Sequence, residues 1–173
     1  MYRQSLAQHQ QIRTLIDQFE SYLSPATPPV DPEAMAHCRW RLASLIFEHL
    51  ALEDRTLYLP LERDPRNDVV TNTRRSKQEL EVLFDRTQQH VKEWPTAVAL
   101  GSWPEYCAVT RDLLKSFRAR LSHEEAGPYL WVRTSGDIMA GQIQPHERNW
   151  VAPAWLVRDR IYAGITGSSD KGA

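Results

Sequence analysis

A sequence repeat is the feature that most constrains the fold of this chain. Residues 49–59, HLALEDRTLYL, match residues 120–130, RLSHEEAGPYL, and residues 9–17, HQQIRTLID, match residues 77–85, KQELEVLFD. The repeat predicts two helical hairpins of one design. In each matched pair the first copy begins with a histidine and the second with a lysine or an arginine. The first hairpin therefore carries side chains that suit a metal ion, whereas the second carries fixed positive charges at the equivalent positions.

Four long amphipathic segments indicate an all-α fold. Apolar residues recur at spacings of three and four, and proline or glycine ends each segment. The predicted helices cover about residues 2–23, 31–59, 70–94 and 103–127. Short loops between amphipathic helices favour an antiparallel up-down-up-down four-helix bundle. No stretch has the sustained alternation that is typical of a strand, so a β-sheet is not expected.

The end of the chain differs from the predicted bundle. We expect the bundle to occupy residues 1–132 and residues 133–173 to form a C-terminal extension, irregular at first and then helical after Pro153. Two interpretations stay open. The extension packs across the bundle as a cap, or it provides a surface for a homodimer or another protein partner. That surface would consist of Trp150, Trp155, Ile161 and Tyr162.

Composition and charge limit the functional classes. A net charge of −1 gives no general basis for binding nucleic acid or an anionic membrane. No apolar segment approaches the roughly 18 residues that a membrane-spanning helix needs, and the N-terminus lacks a signal-peptide core. Cys38 and Cys107 stand outside metal or redox spacings, so both are expected to be free thiols in a reducing compartment. A cytoplasmic location is therefore expected, without nucleic-acid or membrane partners.

A histidine and a glutamate on the second predicted helix point to metal chemistry. His49 and Glu53 are four residues apart, so they lie one turn apart on the apolar face of that helix. A buried glutamate and a buried histidine need partners. Such a pair inside a helical bundle supplies a metal ion with one nitrogen and one oxygen. His9 lies on the apolar face of the first helix, and an antiparallel arrangement permits it to meet the second.

These motifs resemble those of the hemerythrin-like, or HHE cation-binding, family. The resemblance covers about residues 1–132, and its most specific residues are His49, Glu53, Asp54, Leu57, Tyr58 and Pro60. They are preceded by His9, Ile12, Arg13 and Leu15, and they are repeated more weakly by Glu124, Glu125, Pro128 and Tyr129. The resemblance implies a four-helix bundle with a non-haem di-iron centre. Members of the family bind oxygen, sense oxygen or redox state, or handle iron and nitrogen oxides.

The family resemblance also implies a set of ligands. In the family, histidines from all four helices and two bridging carboxylates hold the irons. The resemblance therefore makes His9, His49 and Glu53 ligand positions, and it makes Glu124 the second bridging carboxylate.

The second hairpin departs from the family pattern. Thr73 and Lys77 stand where the third helix would supply histidines, and Arg120 stands where the fourth would supply one. A protonated lysine is a poor ligand, and arginine does not bind metals in practice. One of the two irons would therefore lose its nitrogen ligands.

Three hypotheses for the site follow from this departure. In the first, a buried network of charged side chains replaces the metal, so that no cofactor is bound. That network would join Lys77, Arg120, Glu53 and Glu124. In the second, His9, His49 and Glu53 hold a single metal ion, and iron is the implied cofactor. In the third, an unexpected ligand completes the centre, and His123 is the main candidate because it directly precedes Glu124.

The functional expectation is a binding or sensing module rather than an enzyme. Oxidase or peroxidase chemistry needs an open, redox-active metal position, and the departures at the ligand positions argue against one. No catalytic residue is therefore expected. A metal-free interaction protein that uses the tryptophan-containing tail is a further alternative.

Overall fold

The computed structural model describes residues 2–134 and 154–165, and within these ranges the chain is helical, without strands. In chain order the helices are α1 (Tyr2–Leu23), α2 (Pro32–Glu53), α3 (Leu59–Leu61), α4 (Asn67–Glu93), α5 (Thr96–Gly101), α6 (Trp103–Ala126), α7 (Pro128–Thr134) and α8 (Ala154–Tyr162). A π-helical turn over Asp54–Tyr58 joins α2 to α3. The all-α prediction is confirmed. No described helix combines the length and the apolar content that a membrane crossing requires.

The boundaries of α2 show how local sequence sets the elements around the site. Asp31 precedes the helix, and its Oδ1 accepts a hydrogen bond of 2.9 Å from the backbone N–H of Ala34. Pro32 is the first helical residue, where its missing N–H is not needed. At the other end, α2 continues without a break into the π-helical turn directly after Glu53. Such turns widen a helix by one residue and are frequent at functional sites.

The long helices pack on one another around an apolar core. Helix α1 contacts α2 and α6, and α4 contacts α6. Phe47 of α2 and Phe84 of α4 meet edge to face, with ring centroids 5.2 Å apart. Each large apolar side chain that is fully buried contributes about 1.5–3 kcal/mol to folding. This core fixes the relative positions of the helices that carry the predicted ligands.

A buried arginine closes the C-terminal end of α4. Arg39 donates hydrogen bonds to the carbonyl oxygens of Trp94 at 2.5 Å and of His90 at 3.5 Å. These contacts satisfy carbonyls that the end of a helix leaves unpaired, and the negative end of the helix dipole favours the cation. His90 Nε2 lies 2.9 Å from Thr110 Oγ1. Burial, followed by the charges of Arg39 and Arg86, lowers the pKa of His90 to about 3.

Helix α8 packs against α2 and α4. Val157 and Ile161 are buried there, and the Thr96 hydroxyl donates a hydrogen bond of 2.5 Å to the Ile161 carbonyl. The expectation that Ile161 belongs to a partner surface is therefore wrong, because its side chain lies in the core of its own chain. Tyr162 is half-buried, and its hydroxyl lies 3.4 Å from His37 Nδ1. Trp150 and the side chain of Trp155 lie outside the described residues.

Candidate metal centre

Four side chains that the sequence singled out come together in the interior. His9 comes from α1, His49 and Glu53 come from α2, and Glu124 comes from α6. All four are buried, with exposed fractions of 2% or less. Each offers one ligand atom, and these four atoms lie within 4.8 Å of one another. The cluster could therefore hold a metal ion.

The distances inside the cluster suit one ion. The two imidazoles face each other through their Nε2 atoms at 3.1 Å, and His49 Nε2 lies 3.4 Å from Glu53 Oε2. Glu124 Oε2 is 3.4 Å from His9 Nε2 and 3.9 Å from His49 Nε2. Ligand atoms arranged tetrahedrally around one ion with bonds of about 2.0–2.2 Å are about 3.3–3.6 Å apart. The observed separations are close to this range.

Each glutamate is held through one oxygen and leaves the other without a hydrogen bond. Glu53 Oε1 accepts a short hydrogen bond from the Tyr129 hydroxyl, and Glu124 Oε1 accepts one of 3.1 Å from the Tyr58 hydroxyl. Among the described residues, no hydrogen-bond donor reaches Glu53 Oε2 or Glu124 Oε2, although both atoms are buried. Burying a carboxylate oxygen without a partner is unfavourable, so these atoms are the part of the site that a cation would stabilise.

Arg120 supplies a fixed positive charge beside one glutamate. Its Nε donates to Glu124 Oε1 at 2.5 Å, one helical turn along α6. Its other nitrogens donate to the Ser76 carbonyl at 2.9 Å and to the Tyr58 hydroxyl. The guanidinium also lies over the Tyr58 ring, 5.7 Å from the centroid. The structure thus places Arg120 and Glu124 together, as the sequence spacing predicted.

Lys77 does not take the position that the charge-network hypothesis gave it. Its Nζ lies 3.5 Å from Asp54 Oδ1 and 3.6 Å from Glu62 Oε1. Asp54 is itself buried directly after Glu53, so it supplies the nearer counter-charge. The expected pairing of Lys77 with the ligand glutamates is corrected accordingly.

Two further sequence expectations have different outcomes from the four clustered residues. His123 is exposed on α6, because one residue corresponds to about 100° of rotation around a helix and Glu124 takes the inward direction. His123 is therefore not a substitute ligand in this structure. Thr73 is buried, but the group of possible ligands does not include it.

The electrostatics of the cluster separate its two carboxylates. Burial opposes ionisation of Glu124, but the charge of Arg120 and the two imidazoles hold the pKa of this carboxyl well below its usual range. Burial and repulsion by Glu124 raise the pKa of Glu53. Burial alone would lower the pKa of His9, whereas Glu124 and Glu53 outweigh it and raise the pKa to about 9. A proton on His9 therefore supplies positive charge to the cluster when no metal ion does.

Two tyrosines at the site escaped the sequence analysis. Tyr129 of α7 donates to Glu53, its hydroxyl lies 2.9 Å from His9 Nε2, and its ring stacks on the imidazole with centroids 5.2 Å apart. Tyr58 of the π-helical turn contacts Glu124. The two tyrosines occupy the same position in the repeat, and that coincidence was the available signal. Each tyrosine bonds the glutamate of the other hairpin, which is a tertiary contact.

The fold and the site define a class of helical protein with a buried cluster of two histidines and two glutamates that could bind a metal. Residues 1–129 match the family model described as the hemerythrin HHE cation binding domain. The match covers 129 of 173 residues, and the chain therefore belongs to this family. No curated protein and no solved structure matches the chain. The family prediction is confirmed.

Proposed function

We propose that this chain is a metal-binding module that holds one divalent transition-metal ion on His9, His49, Glu53 and Glu124. The observation that carries this proposal is the pair of buried Oε2 atoms that lack hydrogen bonds and face two imidazole Nε2 atoms. Nitrogen and oxygen donors in this combination suit zinc and divalent iron. We take iron as the ion in the cell because the chain belongs to a family that typically binds iron.

A second ion does not fit the residues of the other hairpin. Arg120 and Lys77 match His49 and His9 in the repeat, and neither binds metal while charged. The Arg120 guanidinium already bonds Glu124 Oε1, the oxygen that a second ion would use. With two carboxylates and one guanidinium, the fixed charges leave a net of −1, which one divalent ion reverses to +1. A second divalent ion would leave a large uncompensated positive charge in the interior.

We further propose that the four long helices form an antiparallel bundle over residues 1–132, with residues 133–173 as an extension. The contacts of α1 with α2 and α6, and of α4 with α6, support this arrangement. Cys38 and Cys107 are both buried and free, which favours a reducing compartment such as the cytoplasm. We propose binding or sensing rather than catalysis, because Tyr129 and Tyr58 bond the glutamates that would hold the ion. When bound, iron would add a redox-active centre to the module.

Metal content is the test of this proposal. Protein purified from iron- and zinc-supplemented cells should contain one equivalent of metal by elemental mass spectrometry. The variant His49→Ala should lose that metal, because one of its ligands is gone. His123→Ala is the matched control, since it removes an exposed histidine from the protein, and it should keep one equivalent. Less than about a tenth of an equivalent in the unmodified protein would refute the proposal, and two equivalents would refute its single-ion form.

A gain of metal tests the explanation for the missing second ion. The double variant Lys77→His and Arg120→His places imidazoles at the repeat positions of His9 and His49. If the two cations are the reason that only one ion binds, this variant should take up more than one equivalent of zinc. An unchanged stoichiometry would show that other features of the second hairpin exclude the ion.

A further inference from the structure

The second nitrogen of His9 is held by a carboxylate outside the ligand cluster. His9 Nδ1 lies 2.8 Å from Glu125 Oε1. Arg13 donates hydrogen bonds to both oxygens of Glu125, at 2.8 and 3.1 Å, and so fixes this carboxylate in place. An ionised carboxylate only accepts hydrogen bonds, so His9 Nδ1 must carry the proton of this contact. His9 Nε2 is then the nitrogen that faces the cluster with its lone pair.

His49 is oriented in the same sense by an amide. Its Nδ1 lies 3.2 Å from Gln8 Oε1, which is also an acceptor. Both imidazoles therefore donate outward through Nδ1 and face each other through Nε2 at 3.1 Å. Two lone pairs at this distance repel each other unless a cation, either a proton or a metal ion, lies between the nitrogens. The outward hydrogen bonds thus prepare the inner nitrogens to bind positive charge.

The repeat shows that Glu125 occupies a position with a counterpart in the other hairpin. Glu125 directly follows Glu124, just as Asp54 directly follows Glu53. Glu125 contacts His9, and Asp54 contacts Lys77, which matches His9 in the repeat. The same contact between hairpins is therefore made twice. In one copy the carboxylate holds an imidazole, and in the other it holds an ammonium group.

We propose that Glu125, held by Arg13, is a positioning residue that fixes His9 as an Nε2 ligand and so raises the affinity of the site for metal, whereas Asp54 only balances the charge of Lys77. This inference rests on the proposed function, because it concerns the same metal site. Carboxylates that accept a hydrogen bond from a metal-binding imidazole fix its orientation and raise its basicity. Glu125 is accessible to substitution, since a third of its side chain is exposed.

The experiment compares zinc affinity among matched variants by competition with a chromophoric chelator. Glu125→Ala should weaken binding about 10- to 100-fold, and Glu125→Gln should weaken it less, because an amide oxygen still accepts from Nδ1–H. Asp54→Asn is the matched control from the other hairpin, and it should leave the affinity within about twofold of the unmodified protein. Arg13→Ala releases Glu125 and should weaken binding to an intermediate degree. Circular dichroism checks that each variant is folded.

A second readout reports the orientation itself. In the zinc-loaded protein, proton NMR should show an imidazole N–H of His9 in slow exchange with water, and Glu125→Ala should lose this resonance. If the unmodified protein binds zinc and the Glu125 variants bind it equally well, the inference is wrong while the proposed function stands. If Asp54→Asn weakens binding as much as Glu125→Gln, the claimed specificity is also wrong. If the unmodified protein binds no zinc, both the inference and the proposed function fail.

Discussion

Replacing Arg120 with methionine tests whether its buried charge stabilises the interior of the metal-free protein. Arg120 is 8% exposed and donates to Glu124, to the Ser76 carbonyl and to the Tyr58 hydroxyl. Methionine has a similar length and fills much of the same volume, so the change removes the charge with little loss of packing. Glu124 would keep only the Tyr58 hydrogen bond to Oε1, and the Ser76 carbonyl would lose this donor.

The expected magnitude follows from the burial of this pair. Removing one partner from a buried ion pair costs about 3–5 kcal/mol, because the other charge stays buried without compensation. With a urea m-value of about 2 kcal/mol per molar for a small domain, this loss lowers the midpoint of unfolding by about 1.5–2.5 M. Since a domain is stable by about 5–15 kcal/mol, the variant should still fold. The measurement is urea unfolding followed by circular dichroism, with a chelator present to exclude metal.

Arg118→Met provides the control on the same helix. Arg118 bonds Asp17 at 2.5 Å and Glu20 at 2.8 Å, but a third of its side chain is exposed. A surface ion pair of this kind contributes about 0–1 kcal/mol. If the two variants lose the same small amount of stability, the buried guanidinium is dispensable, and the assignment of Arg120 as a substitute for a second cation loses its energetic basis.

Three further changes have defined outcomes. The pKa of His90 is about 3 when folded and 6.5 unfolded, so His90 contributes stability that is lost as pH falls from 6.5 towards 3. That loss is up to about 1.4 kcal/mol per pH unit, and urea unfolding of His90→Gln should show a correspondingly weaker pH dependence. Gly164 has φ +86°, and an added Cβ would lie 2.5 Å from Ala97 Cβ. Gly164→Ala should therefore expose α8 to hydrogen exchange, whereas Gly101→Ala, with open space around it, should not. Zinc at about 100 times its Kd should stabilise the protein by about 2.7 kcal/mol in thermal unfolding, and His49→Ala should abolish this effect.

The parts of the site that obey local rules were predictable from sequence. His49 and Glu53 share a helical face because they are four residues apart, and the same spacing joins Arg120 to Glu124. The start of α2 was predictable because Asp31 and a following proline form a standard helix N-terminus. These features depend only on geometry within one helix.

The contacts between helices were not predictable in the same way. The partner of Lys77 depends on the register of α4 against the π-helical turn, and a shift of one residue in either element would change it. Glu125 meets His9 across 116 residues of sequence. The exposure of His123 depends on which direction around α6 the neighbouring helices cover. Periodicity identifies an apolar face, but it does not say which polar side chains of two facing helices will lie within hydrogen-bond distance.

The repeat explains why the site belongs to both hairpins at once. Tyr58 of the first hairpin holds Glu124 of the second, and Tyr129, which follows the second, holds Glu53 of the first. Either hairpin alone would therefore leave its ligand glutamate without the tyrosine that fixes it. The ligands of the cluster converge only when the two hairpins pack, so an ion that binds them stabilises that packing directly. Binding free energy at such a site is folding free energy, and the module can report metal availability through the stability of its own hairpin interface.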